Sequence, residues 1–429
     1  MEPVQLVCGS PTFPVWTFSS LHHGFLLRYQ GFSSGFDGEI PAMRCDRIRW
    51  RGRKACSVGN ELVELIHLTG GGHIVDYHFK GKKRVVNPFW VPRWKTLEPF
   101  RFKPEKHTRI YGAPETGRVL SGVAGHSLCL DLFGMPSPEE IRLGGTIHGE
   151  AGVSRWKASL KTRKDQAALL FSVRLPRAAL AFTRSVLLRT RESVIYVRET
   201  VKNERKLDQF IQWQQHATLG PPFLSQDCVI ELPGAQGRTY PPGYERRELL
   251  KSDAEFQWPY APHFDRGRVD LRRTLTTPSR GFVVAVQIAP NRNEAFVCAL
   301  NRRLSLVIGY CFRREDFPWI ALWEENGARR YSPWRGREKT RGLEFGTSPL
   351  PLTRRENFMQ GPMFGTPTLR HIPAGSTRTV NYVLFLARVP EGSRSIADVV
   401  VKRDSLELVS HSGRVISSLR ADVIREYLC

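Results

Sequence analysis

The segment LGGTIHGEAGVSRW, residues 143–156, places His148, Gly149 and Glu150 in a row. Residues two apart on a strand face the same side, so His148 and Glu150 could together ligate a metal ion. No third ligand with suitable spacing accompanies them in the sequence, because His126 upstream is not part of a His-x-His motif. The segment is therefore consistent with a metal pair, with a histidine that hydrogen-bonds a sugar, or with a structural turn. Our prediction is a site without metal.

A second histidine follows side chains that suit a carbohydrate. In QFIQWQQHATLG, Trp213 and Gln215 precede His216 near the end of a predicted strand. Aromatic rings stack on the C–H faces of sugars, while amide and imidazole groups bond to the hydroxyls. The pattern favours a carbohydrate site that includes Trp213, Gln215 and His216. The alternative is a hydrogen-bonded structural histidine at a sheet edge.

A single carboxylate, Glu344, lies between Leu343 and Phe345 in the strand-like segment RGLEFGTSP. If this carboxylate is partly buried, its pKa rises toward the range that is useful for a general base. The alternative is an outward-facing glutamate that pairs with Arg341.

The segment NPFWVPRW contains Trp90, Arg93 and Trp94 in one loop, a composition typical of sugar-binding loops. Lone aromatic residues more often belong to a core, which is the alternative for the two tryptophans. The motifs of phosphate-binding loops, dinucleotide sites and serine nucleophile elbows do not occur in the sequence. We therefore predict no cofactor.

The elements that must hold these residues are predominantly strands. Apolar residues alternate with polar ones in segments such as SVIYVRETV, and glycine, proline or asparagine interrupts the pattern at short intervals. Helical periodicity is confined to short pieces, and no strand alternates with a long helix, which argues against a parallel α/β fold. We predict an all-β protein built as a large antiparallel sandwich of more than about twelve strands, with few short helices.

The sequence suggests three parts. Residues 1–55 carry many aromatic, glycine, serine and proline residues without periodicity and are predicted to be an N-terminal extension of unknown role. Residues 56–393 have the strand pattern and form the predicted sandwich domain, and residues 394–429 follow as a C-terminal tail.

The chain of 429 residues is strongly basic, with 64 Lys and Arg against 41 Asp and Glu and a net charge of +23. A protein that binds nucleic acid usually concentrates its charge, whereas these residues are spread along the whole chain. We therefore predict a small-molecule partner and neither nucleic acid nor a membrane, and the oligomeric state stays open. The eight cysteines form no C-x-x-C pair, and the first residues do not resemble a secretory signal, so we expect a cytoplasmic location.

Several of these segments, taken in order, resemble the aldose 1-epimerase (galactose mutarotase-like) superfamily. The His-Gly turn of that superfamily is resembled by IHGEAGVSRW. The strands that end in its second histidine are resembled by VIYVRETVKNERKLDQFIQWQQHATLG. Its late strand with the catalytic glutamate is resembled by RGLEFGTSP. An opening hairpin, LVELIHLTGGGHIVDYHFKGK, and a closing turn and strand, LRHIPAGSTRTVNYVLF, extend the resemblance over about residues 58–392.

This resemblance implies a β-supersandwich that binds a sugar on one concave sheet. It implies Glu344 as the base, His216 as the acid and His148 as a binding partner in the interconversion of anomers. Arg93 and Asp270 are candidates for the arginine and aspartate that hold sugar hydroxyls, although VNPFWVPRW replaces the usual Asn-Arg pair and Asp265 is an equal choice for the aspartate. An alternative is a carbohydrate-binding protein without this activity, with an anionic sugar as its ligand.

Overall fold

The computed structural model describes residues 43–81, 85–242 and 247–428. Most of the predicted N-terminal extension, residues 1–42, lies outside the described residues. Its remaining part, residues 43–55, contains the first strand and the beginning of the second. Among the described residues, no helix is long and apolar enough to cross a membrane.

The described residues form 25 strands. In chain order they are β1 (Arg44–Trp50), β2 (Arg53–Gly59), β3 (Val63–Leu68), β4 (Ile74–Phe79), β5 (His126–Asp131), β6 (Lys157–Thr162), β7 (Gln166–Leu175), β8 (Leu180–Arg189), β9 (Val194–Asn203), β10 (Gln209–Leu219), β11 (Cys228–Glu231), β12 (Gly234–Thr239), β13 (Glu255–Gln257), β14 (Tyr260–Pro262), β15 (Arg268–Asp270), β16 (Arg280–Ile288), β17 (Glu294–Asn301), β18 (Leu306–Arg313), β19 (Trp319–Asn326), β20 (Lys339–Gly346), β21 (Arg370–Ile372), β22 (Thr377–Arg388), β23 (Asp398–Val401), β24 (Ser405–Val409) and β25 (Val415–Arg420).

Five short α-helices interrupt the strands within the described part of the chain. They are α1 (Pro104–Tyr111), α2 (Pro114–Leu120), α3 (Pro138–Arg142), α4 (Arg354–Gln360) and α5 (Arg425–Leu428). Ser137 and Thr353 close capping boxes at the first turns of α3 and α4, which explains why helices this short begin where they do.

Two large antiparallel sheets make up the sandwich. The first has 14 strands in the order β1-β2-β3-β4-β5-β10-β20-β19-β16-β12-β13-β14-β15, with β21 added beside β10. The second has eight strands in the order β11-β17-β18-β22-β9-β8-β7-β6. This architecture confirms the predicted all-β fold class.

The core between the sheets follows from the alternation seen in the sequence. Along β7 every second residue is buried, including Leu169 and Phe171, while the residues between them are only partly covered. The inner face of the first sheet supplies the opposing layer, with Leu343 and Phe345 of β20 among its members. The residues of β10 and β20 that point away from this core lie on the other face of the first sheet, and that face carries the candidate site.

The predicted C-terminal tail contains a third sheet of strands β23, β24 and β25 in that order, followed by α5. Leu406 and Leu408 of β24 and Tyr427 of α5 pack with Phe385 of β22 on the outer face of the second sheet. The division into an extension, a domain and a tail stays a prediction, although residues 398–428 are folded against the sandwich.

Candidate functional site

The centre of the candidate site is formed by two neighbouring strands of the first sheet. The register of β10 against β20 sets His216 directly opposite Glu344. Directly opposite residues of an antiparallel pair point to the same face, so the two side chains meet there. His216 Nε2 lies 3.3 Å from Glu344 Oε1.

His148 joins this pair from the turn before the short helical segment 151–153. Its ring centroid lies 4.9 Å from that of His216 in an edge-to-face arrangement. Its Nδ1 donates to the carbonyl oxygen of Phe133 at 2.7 Å, so Nε2 is the unprotonated nitrogen of the neutral ring. The structure therefore brings together the three residues whose order in the sequence suggested a common site.

The backbone of the turn is unusual because both His148 and Gly149 have positive φ angles, 65° and 74°. This conformation is uncommon for a residue with a side chain and is strained by about 1–3 kcal/mol. Gly149 forms a parallel bridge with Leu130 of β5, and a Cβ at position 149 would collide with the Leu130 carbonyl. The glycine thus allows the turn to lie close to β5, and this contact between the turn and β5 holds His148 in place.

Burial controls the protonation of the pair. The side chain of Glu344 is 3% exposed, and its Oε1 is buried without a hydrogen-bond partner among the described residues. Burial raises the pKa of Glu344 well above its ordinary value. Burial also lowers the pKa of His216 well below its ordinary value, and neighbouring His148 adds to the effect. Both groups therefore favour their neutral forms.

The same environment keeps His148 neutral. Burial lowers the pKa of His148 to about 4, although its bond to the Phe133 carbonyl opposes the shift, and the Arg329 guanidinium adds to it. At neutral pH, Nε2 of His148 can accordingly accept a hydrogen bond from a ligand hydroxyl.

Four tryptophans, Trp90, Trp94, Trp323 and Trp334, form a wall beside the pair. Trp90 and Trp334 stack with ring centroids 5.7 Å apart, and Trp323 meets both edge to face. Trp323 also borders His216, with ring centroids 5.8 Å apart. The carboxylate of Glu338 fixes the wall by accepting from Trp90 Nε1 at 2.8 Å.

Two arginines lie at the tryptophan wall, one packed on its rings and the other in the loop at its edge. The Arg329 guanidinium packs 4.8 Å from the ring centroid of Trp334 and 5.4 Å from that of Trp323. Arg93 is exposed, and its backbone N–H donates to Glu338 Oε1 at 3.1 Å. Arg93 therefore lies in the loop at the edge of the wall, and its predicted contact with a sugar stays a prediction.

The structure corrects the prediction that Trp213 and Gln215 contact the ligand. Both are fully buried between the two sheets, on the opposite face of β10 from His216, because successive residues of a strand alternate in direction. Trp213 Nε1 and Gln215 Nε2 donate to the carboxylate of Glu199 at 2.9 Å and 2.7 Å. That carboxylate is paired with Arg184 at 2.7 Å, so the two residues belong to a polar network inside the core.

Asp270 also lies apart from the candidate site. It ends β15, and both of its carboxylate oxygens accept from Arg272 at 2.9 Å. Asp270 also interacts electrostatically with Arg341, whose side chain pairs with Glu324 on the inner face of the sheet. The prediction that Asp270 holds a hydroxyl in the same cleft as Glu344 is therefore wrong on geometric grounds.

Glu150 has a structural partner. Its carboxylate accepts from the backbone N–H groups of Arg177 and Ala178 at 3.0 and 3.3 Å and pairs with the Arg177 guanidinium at 3.3 Å. The side chain therefore binds the turn between β7 and β8. Across residues 43–81, 85–242 and 247–428, no group of three or more His, Cys, Asp or Glu side chains is arranged to hold a metal ion.

Sequence reasoning missed two neighbours of the pair, Trp323 and Gly342. Trp323 lies on β19 opposite Gly342 of β20, and a Cβ at Gly342 would collide with the Glu344 carboxylate. The signal was present in β20, because Gly342 and Glu344 are two residues apart and must share a face. The partner strand of β20, by contrast, could not be read from the sequence.

The protein is thus an antiparallel β-sandwich in which two histidines and a glutamate lie together at one face of the larger sheet. No family model matches the sequence, and no curated protein matches it. Several solved protein structures, however, are similar to this one. A proposed aldose 1-epimerase from Klebsiella pneumoniae aligns with a TM-score of 0.55 at 13% identity, over 79% of this chain and 80% of that one.

Two further structures have the same fold. A proposed mutarotase from Salmonella typhimurium aligns with a TM-score of 0.50 at 10% identity, over 82% of this chain and 96% of its own. A TPR-domain containing protein from Parabacteroides distasonis aligns with a TM-score of 0.51 at 11% identity, and this chain spans half of its length. The protein therefore has the galactose mutarotase-like fold, and the resemblance seen in the sequence is confirmed at the level of the fold.

Proposed function

We propose that the protein binds a sugar on the outer face of the first sheet and interconverts its anomers by general acid–base ring opening. The observation that carries this proposal is the buried pair of His216 Nε2 and Glu344 Oε1, 3.3 Å apart, with Oε1 unpartnered among the described residues. The anomeric hydroxyl and the ring oxygen of a pyranose are bonded to the same carbon. An acid and a base that serve these two oxygens must therefore be close neighbours.

The reaction needs one proton acceptor and one proton donor. The acceptor removes the proton of the anomeric hydroxyl as the bond from C1 to the ring oxygen breaks and a carbonyl forms at C1, and the donor protonates the ring oxygen. Rotation about the bond between C1 and C2 followed by the reverse steps closes the ring from the other face. Both protons return, so the sugar and the protein end the cycle with the atoms they began with.

The pair of Glu344 and His216 holds one mobile proton for these steps. The resemblance assigns the base to Glu344 and the acid to His216, which places that proton on the histidine. Burial favours the arrangement with the proton on Glu344. Transfer between two atoms 3.3 Å apart interconverts the arrangements, and each contains one donor and one acceptor. His148, neutral and with Nε2 unprotonated, would accept from a neighbouring hydroxyl.

Access to the pair requires movement of the tryptophan wall. His216 is 7% exposed and Glu344 is 3% exposed, so a pyranose cannot reach them in this arrangement of side chains. Trp323 borders His216, and Arg329 and Trp334 of the segment 327–338 pack on Trp323. Displacement of that segment would open the face to a ligand, and its tryptophans would then offer stacking surfaces for the sugar.

Polarimetry on freshly dissolved α-glucose and α-galactose tests the proposal. We expect the wild-type protein to accelerate the approach to equilibrium rotation, and the Glu344→Gln protein to leave the rate at that of buffer. Glu255→Gln on β13 is the matched control, because Glu255 is exposed and remote from the pair in strand order. Equal rates for wild type, both variants and buffer would contradict the activity for these sugars.

A second candidate function is the binding of an anionic sugar without catalysis. The segment 327–338 carries the exposed residues Arg330, Arg335 and Arg337, and Arg93 is exposed at the same wall. Such a cluster attracts uronates or sugar phosphates more strongly than neutral hexoses, and the attraction weakens as salt screens it. The predicted cytoplasmic location belongs to either proposal.

Calorimetric titration with glucuronate, glucose 6-phosphate and glucose at low and high salt tests this second candidate. Salt-sensitive binding of the two anions, lost in an Arg335→Glu/Arg337→Glu protein, would support it. Equal affinity for glucose and glucuronate at every salt concentration would refute it.

A further inference from the structure

A groove of about 760 Å³ lies between helices α3 and α4, outside the candidate site. Asp131, Gly149 and Glu150 line this groove, whereas Phe133 and His148, their neighbours in the chain, border the pair of Glu344 and His216. The groove is therefore a separate space on the far side of the same turn. Its volume lies within the range of about 300–1,000 Å³ that small-molecule sites occupy.

The walls of the groove are apolar and exposed. Leu143 is 77% exposed, Phe358 62%, Met359 76% and Phe210 45%, and all four line the groove. Single exposed apolar residues are common on a protein surface, but several around one concavity indicate a binding site. Phe210 and Phe358 stand edge to face with centroids 5.9 Å apart, so the aromatic part of the wall is already organised.

The groove is lined by five carboxylates and four arginines, and these arginines differ in whether they already have an anionic partner. Each carboxylate of the lining has a partner within the described residues. Asp131 and Glu140 pair with Arg354, Glu139 pairs with Arg142, Glu150 with Arg177 and Asp208 with His371. Two arginines that line it have no such anionic partner. Within the described part of the chain, the guanidinium of Arg355 makes no hydrogen bond or ion pair, and the Arg205 guanidinium reaches only the carbonyl of Arg177.

We propose that this groove binds an amphipathic organic anion. An aromatic or aliphatic body would lie between Leu143, Phe358 and Met359, where it removes exposed apolar surface from water. A carboxylate, sulfonate or phosphate at its end would pair with Arg205 or Arg355, whose guanidinium groups suit planar, charge-assisted recognition. The site does not depend on the reaction proposed for Glu344.

A matched pair of fluorescent compounds tests this assignment. 8-Anilinonaphthalene-1-sulfonate and N-phenyl-1-naphthylamine share their aromatic body, and only the first carries a negative charge. We expect the sulfonate to bind the full-length protein at one site, about tenfold more tightly than the neutral compound, the change that one charge-assisted hydrogen bond produces.

Two variants separate the parts of the site. Arg205→Glu/Arg355→Glu should weaken the sulfonate by about tenfold and leave the neutral compound unchanged, because only the charge contact is lost. Phe358→Ser/Met359→Ser should weaken both compounds. All four side chains are exposed or at the groove surface, and circular dichroism with thermal unfolding confirms that each variant is folded.

The control for charge is Arg303→Glu/Arg394→Glu, which changes the net charge equally at two exposed arginines outside the groove. Retained sulfonate binding in this control, together with the losses above, supports the site. An equal loss in the control, unchanged binding in the Phe358→Ser/Met359→Ser protein, or no binding by the wild-type protein would overturn it.

Discussion

Replacement of Glu344 by glutamine should stabilise the protein while it removes the proposed activity. Burial raises the pKa of the Glu344 carboxyl well above its ordinary value, so near neutral pH folding has to keep protonated a group that ionises in the unfolded chain. A glutamine amide has the same shape and carries no charge. Its N–H can donate to Nε2 of neutral His216, which lies 3.3 Å from the carboxylate. We expect the free energy of unfolding to rise by about 1–3 kcal/mol near neutral pH.

The gain should depend on pH with a definite sign. The pKa of Glu344 is raised by burial above its ordinary value of 4.5. Below pH 4.5 the carboxyl is protonated in the folded and the unfolded chain, and the wild-type protein has its full stability. As the pH rises toward the folded pKa, ionisation of the unfolded chain lowers the stability of the wild type. Glutamine does not ionise, so the advantage of the variant should be small near pH 4.5 and larger near pH 8.

Thermal unfolding of wild type, Glu344→Gln and Glu255→Gln at these two pH values measures the effect. Glu255 is exposed, so its variant should follow the wild type at both pH values. A Glu344→Gln protein that is less stable than wild type at pH 8 would contradict this prediction. It would mean that Glu344 is ionised in the folded protein and held by a protonated His216.

Three further outcomes follow from the same contacts. Gly342→Ala should remove the proposed activity and destabilise the protein by about 1–3 kcal/mol, since the added Cβ collides with the Glu344 carboxylate; activity at the wild-type level would contradict this. Arg184→Met should lower the free energy of unfolding by about 3–5 kcal/mol, because it leaves the carboxylate of Glu199 buried and unpaired, and urea unfolding measures the loss. Burial lowers the pKa of His126 from 6.5 to about 3, so this histidine alone should contribute a loss of about 1.4 kcal/mol per pH unit as the pH falls through this interval, in addition to the losses from the other buried histidines, and His126→Gln should lose less than the wild type in thermal unfolding.

The fold could be predicted because the sandwich is encoded locally. Strands such as β7 alternate buried and partly covered residues with a period of two, and that period is visible without any knowledge of the partner strand. The order of the strands within a sheet has no such local signal. The pairing of β10 with β20, for example, joins residues more than a hundred positions apart in the chain.

The candidate site could be predicted only in part, and β10 shows why. The residue types around His216 suggested a carbohydrate site, yet Trp213 and Gln215 occupy positions of the opposite parity and face the core. A strict use of the alternation would have separated them from His216. The contact of Trp90 with Trp334, in contrast, depends on two loops that approach each other only in the folded protein.

The arrangement of the site argues against a purely structural role for its three central residues. His148 holds a positive φ angle, which strains the backbone, and Glu344 is buried with an oxygen that has no partner among the described residues. His216 and His148 are both held as neutral bases, with their pKa values lowered by burial. Apolar residues of similar volume at positions 216 and 344 would avoid the cost of burying polar groups, as they do elsewhere on β20 at Leu343 and Phe345, and a glycine at position 148 would avoid the backbone strain. Destabilising features that meet on one face of a sheet are what a site for proton transfer requires, and removing them should raise stability at the expense of activity.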